Sequence, residues 1–112
     1  MAAHDPVKAG DKGEVRYVTL YGLPNLDDVV SGEAIVSSPN GMVSATLPMM
    51  VADSANLIMK ISLGEEVPDW LPSGPVHGVW EIEYSITLQN PDRVLTWPNE
   101  GYDTIRVYKE LG

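Results

Sequence analysis

Apolar and polar side chains alternate with a period of two along several short stretches of this chain. The clearest stretch is Gly78–Leu88, in which every second residue is apolar and the residues between them are mostly polar. Its apolar members are Trp80, Ile82, Tyr84, Ile86 and Leu88. Successive side chains of a β-strand point to opposite faces of a sheet. The pattern therefore predicts a strand with one buried face and one face toward water.

The same alternation, together with β-branched and aromatic residues, predicts the remaining strands. They are Glu14–Leu20, Glu33–Ser37, Met42–Leu47, Leu57–Leu63, Arg93–Trp97 and Thr104–Tyr108. Ser38–Gly41 contains Pro-Asn-Gly, whose residues suit a tight turn, and Gln89–Arg93 is a longer hairpin loop. Apolar residues nowhere recur at helical spacing over three turns, and residues 68–75 contain three prolines. The chain is predicted to be all-β.

About seven short strands separated by Gly- and Pro-rich turns favour an immunoglobulin-like antiparallel β-sandwich. A small β-barrel is the competing architecture. The length of 112 residues fits a single sandwich domain, assigned to residues 14–112. Residues 1–13 are predicted to be a flexible N-terminal arm, because Val7 is their only sizeable apolar side chain apart from Met1. We expect this arm to become ordered only against a neighbouring subunit, and its deletion to leave the sandwich folded.

Charge and composition narrow the range of partners. The chain has 7 Lys and Arg against 16 Asp and Glu, a formal net charge of −9. Such a balance argues against binding to nucleic acid or to an anionic membrane, because both are recognised mainly through Lys and Arg. No apolar run is long enough to cross a bilayer, and the N-terminus does not have the pattern of a signal peptide. Cysteine is absent, which excludes disulfides and thiolate sites.

Candidate chemistry is sparse. Two histidines, His4 and His77, are too few for a zinc site without cysteine. The paired carboxylates Asp27–Asp28 and Glu65–Glu66 are adjacent in sequence, so they point in different directions and do not face each other across a cleft. We therefore predict no catalytic, cofactor-binding or metal-binding residue and no enzymatic activity. A small barrel enzyme or metal-dependent protein is the least favoured alternative.

The three tryptophans have different expected roles. Trp80 lies on the apolar side of its strand and is assigned to the core. Trp97 ends a predicted strand and Trp70 lies in the proline-rich stretch, so each either covers the core or offers a platform for a ligand. The candidate partner contacts are Val7, Trp70, Leu71 and Trp97.

One motif carries a resemblance to a known family. Residues 97–102 have the sequence WPNEGY and follow the strand that begins GVWEIEY at Gly78. This arrangement resembles the small β-sandwich domain at the N-terminus of baseplate upper proteins of tailed bacteriophages. The resemblance implies a non-enzymatic virion protein, docked in many copies on other phage structural proteins at the tail tip, baseplate or capsid exterior. The chain ends at Gly112, without the receptor-facing module of that family, which favours an accessory subunit. The alternative is an immunoglobulin-like module that binds a carbohydrate or host surface through Trp70 or Trp97.

Overall fold

Eight β-strands form one hydrogen-bonded sheet in the computed structural model, which describes residues 3–8, 13–41, 44–63, 78–98 and 101–108. The strands are β1 (Val7–Lys8), β2 (Val15–Thr19), β3 (Val29–Ser37), β4 (Ser44–Asp53), β5 (Ile58–Ser62), β6 (Gly78–Leu88), β7 (Arg93–Trp97) and β8 (Asp103–Tyr108). These ranges contain no helix. The predicted all-β class is confirmed.

The strand order is β1-β8-β6-β3-β4-β5-β2, with β7 also paired to β6. All pairs are antiparallel except β1 with β8, which is parallel. Strand β6 organises this sheet because it has three partners. One of its edges pairs with β3, while the other pairs with β8 over residues 78–82 and with β7 over residues 84–88. Since the strands are continuous in one sheet, the two-sheet sandwich is not confirmed.

The sheet curls so that its apolar face packs against itself. Its buried members come from seven of the eight strands and the segments beside them: Val7, Leu20, Leu26, Ala34, Val36, Leu47, Met49, Met59, Ile61, Leu63, Trp80, Ile82, Tyr84, Ile86, Leu88, Trp97, Ile105 and Val107. Strand β2 contributes the half-buried Val18. The curl is clearest above Gly32 in β3. A Cβ atom there would lie 3.0 Å from both Met59 Cε in β5 and Ile86 Cδ1 in β6. Strands β5 and β6 are not neighbours in the sheet, so only curvature brings these side chains together.

Arg16 connects the two ends of the curled sheet. Strand β2, which carries Arg16, stands at one end of the strand order and β1 stands at the other. The Arg16 Nε–H donates to the carbonyl oxygen of Asp5 at 3.1 Å, and Nη2 donates to that of Pro6 at 3.2 Å. The third nitrogen, Nη1, donates to the Glu14 carboxylate at 3.0 Å. The guanidinium thus joins the N-terminal segment to the opposite edge of the sheet.

The described part of the N-terminal arm differs from the expectation. Residues 3–8, called the strap below, lie along β8 of the same chain through a bridge between Ala3 and Thr104 and the two pairs of β1. Val7 is 3% exposed and belongs to the core. The strap is therefore ordered without a neighbouring subunit, because one apolar anchor and a set of hydrogen bonds to β8 and Arg16 offset its loss of entropy. Deleting it would remove part of the core.

Strand boundaries agree best where alternation is uninterrupted. Strands β6 and β7 have the predicted bounds, whereas β4 continues to Asp53, well beyond the predicted end at Leu47. The residue after the predicted end is Pro48, which cannot donate to a strand ladder. In the structure β4 changes partner beside this proline: its pairing with β3 ends at Met49, where its pairing with β5 begins. The proline is tolerated at this change of partner.

Replacing Trp80 with alanine is expected to lower the free energy of unfolding by about 3–5 kcal/mol, because the side chain is fully buried and leaves a large cavity. Denaturant titration would measure the loss. Val79→Ala is the matched control, since Val79 is the preceding residue of β6 and faces outward. Equal stability of the two variants would contradict the assignment of Trp80 to the core.

Candidate functional site

Three polar side chains meet inside the curled sheet. The Tyr84 hydroxyl donates to Asp103 Oδ2 at 2.8 Å, and His4 Nε2 lies 2.6 Å from the same hydroxyl oxygen. His4 Nε2 and Asp103 Oδ2 are 4.0 Å apart. Tyr84 is fully buried, Asp103 is 6% exposed and His4 is half-buried. We call these three residues the polar cluster.

Each member of the polar cluster is positioned by a different element. Tyr84 lies on the inward face of β6, and Asp103 begins β8 on the inward face that it shares with Ile105 and Val107. His4 is brought to them by the strap, because its backbone N–H donates to the carbonyl oxygen of Thr104 at 2.8 Å. The cluster thus ties the strap to the two strands beneath it.

The hydrogen bonds determine where the protons lie. A phenol has one hydrogen, and that of Tyr84 is given to Asp103. The phenolic oxygen is then the acceptor of the bond with His4, so Nε2 must carry a hydrogen and donate it. In neutral His4 the unprotonated nitrogen is Nδ1. The cluster forms an ordered chain of donors from His4 through Tyr84 to Asp103.

The environment favours the neutral forms of both rings. Burial raises the pKa of Tyr84 well above its usual value, and its hydrogen bond to Asp103 acts in the same direction. Burial also lowers the pKa of His4; the Asp103 carboxylate opposes this shift, Arg16 adds to it, and Asp5 opposes it weakly. Because the phenol stays protonated at neutral pH, it offers no phenolate base or nucleophile there. The arrangement is suited to fastening the strap.

The candidate partner contacts have different locations. Val7 is buried in the core, and Trp97 is 6% exposed. The Trp97 indole Nε1–H donates to the carbonyl oxygen of Tyr21 at 3.1 Å, so its ring covers the core and does not form an open platform. Trp70 and Leu71 lie outside the described residues. Of the candidates that the structure describes, Val7 and Trp97 are both buried and so do not form an exposed contact surface.

The remaining sequence candidates do not form a site in the described ranges. Asp27 accepts a hydrogen bond from the Ser54 hydroxyl, and the backbone carbonyl of Asp28 accepts one from Gln89. Glu65, Glu66 and His77 lie outside those ranges. Within them, no group of three His, Asp or Glu side chains is placed to hold a metal ion. No helix there is long and apolar enough to span a membrane.

An apolar patch lies on the outer side of the sheet beside β7. Tyr21, Val30 and Val94 are 66%, 59% and 62% exposed, respectively, and we call them the β7 patch. Val94 lines two adjoining depressions, one shared with Val30 and the other with Tyr21. Among the described strands, β7 pairs only with β6, and none pairs with its other edge. The patch therefore combines exposed apolar side chains with a strand edge that no other described strand covers.

The sequence matches no protein-family model and no curated protein. The resemblance of residues 97–102 to a phage domain therefore stays a prediction. Within this motif Trp97 is buried, and Gly101 has a φ of 70°, a left-handed conformation that favours glycine in a turn. Tyr102 was expected to pack on the core but is 44% exposed.

No feature of the sequence pattern singled out His4 or joined it to Tyr84 and Asp103. One signal was present in Asp103, which precedes Ile105 and Val107 at strand spacing and therefore faces the core with them. An acidic residue on an inward face requires a buried hydrogen-bond partner. That partner, Tyr84, was assigned to the same interior, but the approach of His4 depends on a parallel pairing that no local pattern indicates.

Tyr84→Phe is expected to lower the free energy of unfolding by about 1–3 kcal/mol, because Asp103 loses a donor and His4 loses its acceptor while the ring volume is kept. Denaturant titration at neutral pH would measure the change. The control is Tyr17→Phe, which removes the hydroxyl of an exposed tyrosine and should stay within about 0.5 kcal/mol of the parent. A Tyr84→Phe variant as stable as Tyr17→Phe would show that the cluster does not stabilise the fold.

Proposed function

We propose that this protein is a non-enzymatic structural subunit of a tailed-phage virion, docked in many copies on a larger phage protein at the tail or on the capsid. The proposal combines the resemblance of its C-terminal motif with a surface that suits docking. The β7 patch is the observation that supports it most directly. The proposed partners are other phage structural proteins, with neither nucleic acid nor membrane involved.

The β7 patch has the properties of a protein contact. Contiguous exposed apolar side chains favour association, since burying a valine contributes roughly 1.5–3 kcal/mol. No other described strand pairs with the outer edge of β7, whose backbone donors and acceptors can form hydrogen bonds with an extended segment of a partner. The net charge of −9 disfavours contacts between free copies and so favours docking on a different, less acidic surface.

The alternative function is a module that binds a carbohydrate or host surface through an exposed aromatic ring. Trp97 does not support it, because that ring is buried and its indole N–H is engaged by Tyr21. Tyr21 is the aromatic side chain that favours it, since its ring is exposed at the β7 patch. A single exposed tyrosine is a weaker platform for a sugar than an exposed tryptophan. We therefore favour docking on a protein.

Val94→Lys is expected to reduce the occupancy of this subunit on purified phage particles by about tenfold or more, because it places a charge in an apolar contact. Met50→Lys is the matched control: Met50 is exposed to the same extent, 62%, but lies on β4, away from the β7 patch. Quantitative mass spectrometry of the particles would measure occupancy, and thermal melts would show that both variants fold. Equal occupancy of the two variants would contradict docking through the patch.

A further inference from the structure

His4 provides two of the attachments that hold the strap to the sheet. Its backbone N–H donates to Thr104 and its side chain donates to Tyr84. Further bonds come from the short pairing of Val7 and Lys8 with β8 and from Arg16, which donates to two strap carbonyls. The His4 ring is the only side chain of the strap that reaches into the polar cluster. A change in the state of this ring therefore acts directly on the attachment of the strap.

We propose that His4 is a proton-controlled latch. In its neutral form it fastens the strap to β6 and β8, and when it gains a proton the strap is released from the sheet. Release uncovers the edge of β8 that now pairs with β1, together with the part of the core covered by Val7. This latch is independent of docking through the β7 patch.

Adding a second proton to the His4 ring is unfavourable in the closed form. Nε2 already carries the hydrogen that is donated to Tyr84, so the added proton must bind at Nδ1 and make the whole ring cationic. A cation in this half-buried position loses hydration, which is costly. The Tyr84 phenol that faces the ring is neutral and already committed to Asp103, so it does not balance the new charge.

Charged groups of three described elements act on the His4 ring. Asp103 on β8 attracts the cation from 4.0 Å, and Asp5 on the strap attracts it more weakly. Arg16 on β2 repels it, and burial opposes it more strongly than any of these charges acts. The net result is a pKa below the ordinary 6.5 while the strap is closed.

The direction of the pH effect follows from the difference between the pKa of His4 in the released form and in the closed form. The released ring is in water and titrates near its ordinary pKa of 6.5, above the pKa of the closed form. Between these two values the released state binds more proton than the closed state. Acidification through this window therefore favours release, by at most about tenfold per pH unit for a single proton. At pH values above the window the ring is neutral in both states, and the closed form is favoured as much as it can be by this group.

Hydrogen exchange of backbone amides tests the latch on the intact chain. Protection factors of residues 3–8 and 103–108, corrected for the intrinsic pH dependence of exchange, would be measured from pH 7.5 to pH 5.0, where most carboxylates stay ionised. We expect protection in these segments to fall on acidification, by up to about tenfold per pH unit, while β3 keeps its protection. The imidazole signal of His4 should titrate with the same midpoint.

Two variants separate His4 from other titrating groups. His4→Gln keeps a side-chain N–H donor for Tyr84 but does not titrate in this range, so its strap protection should not change with pH. His77→Gln removes the other histidine of the chain and should behave like the parent. The proposal is overturned if the parent shows no pH dependence or if His4→Gln keeps it. If His4→Gln does not hold the strap at any pH, the test rests on the parent protein. A pH midpoint for the loss of strap protection that differs from the midpoint of the His4 imidazole titration would overturn the proposal, and equal midpoints would support it.

Discussion

A single sheet buries its apolar face only by curling, and this constraint governs the rest of the molecule. The curl is possible because β3 has no side chain at Gly32, where Met59 and Ile86 close over the backbone. It also depends on long strands that change partners along their length, as β6 does between β8 and β7. Such changes allow the sheet to twist sharply without losing its hydrogen bonds. The fold is therefore set by where partners change as well as by which residues are apolar.

Curling creates a second requirement, because the two ends of the sheet must be joined. Here that task falls to the strap, which contributes little apolar surface beyond Val7. Polar interactions therefore hold the strap in place. Arg16 on β2 donates to strap carbonyls, and the polar cluster binds His4 to β6 and β8. Buried hydrogen bonds contribute little net stability but are costly to break singly. The attachment of the strap therefore depends on the geometry of a few hydrogen bonds and on the protonation state of the His4 ring.

This division between apolar and polar contacts explains how much could be predicted from sequence. Alternation identified β6 and β7 with their correct bounds and placed Trp80 and Tyr84 inside, because burial of one sheet face is a local pattern. Alternation did not predict the features that depend on pairing and curvature of the whole sheet. Strand β4 continues through Pro48 beyond the predicted end at Leu47, and β1, with two residues, is too short to show any alternation. The contact between His4 and Tyr84 spans 80 positions and depends on the curl, which no short stretch of sequence encodes.

The same geometry separates the latch from the docking surface. In the register of β6 with β7, Tyr84 stands opposite Trp97 and both face the interior, whereas Val94 stands opposite Thr87 and is exposed on the outer face. Residues on opposite faces of one sheet share its backbone but not its side-chain contacts. A charge at Val94 therefore leaves the bonds among His4, Tyr84 and Asp103 in place, and a proton on His4 leaves the β7 patch exposed. Attachment through β7 and release of the strap are consequently separable by single substitutions, which makes each proposal testable without the other.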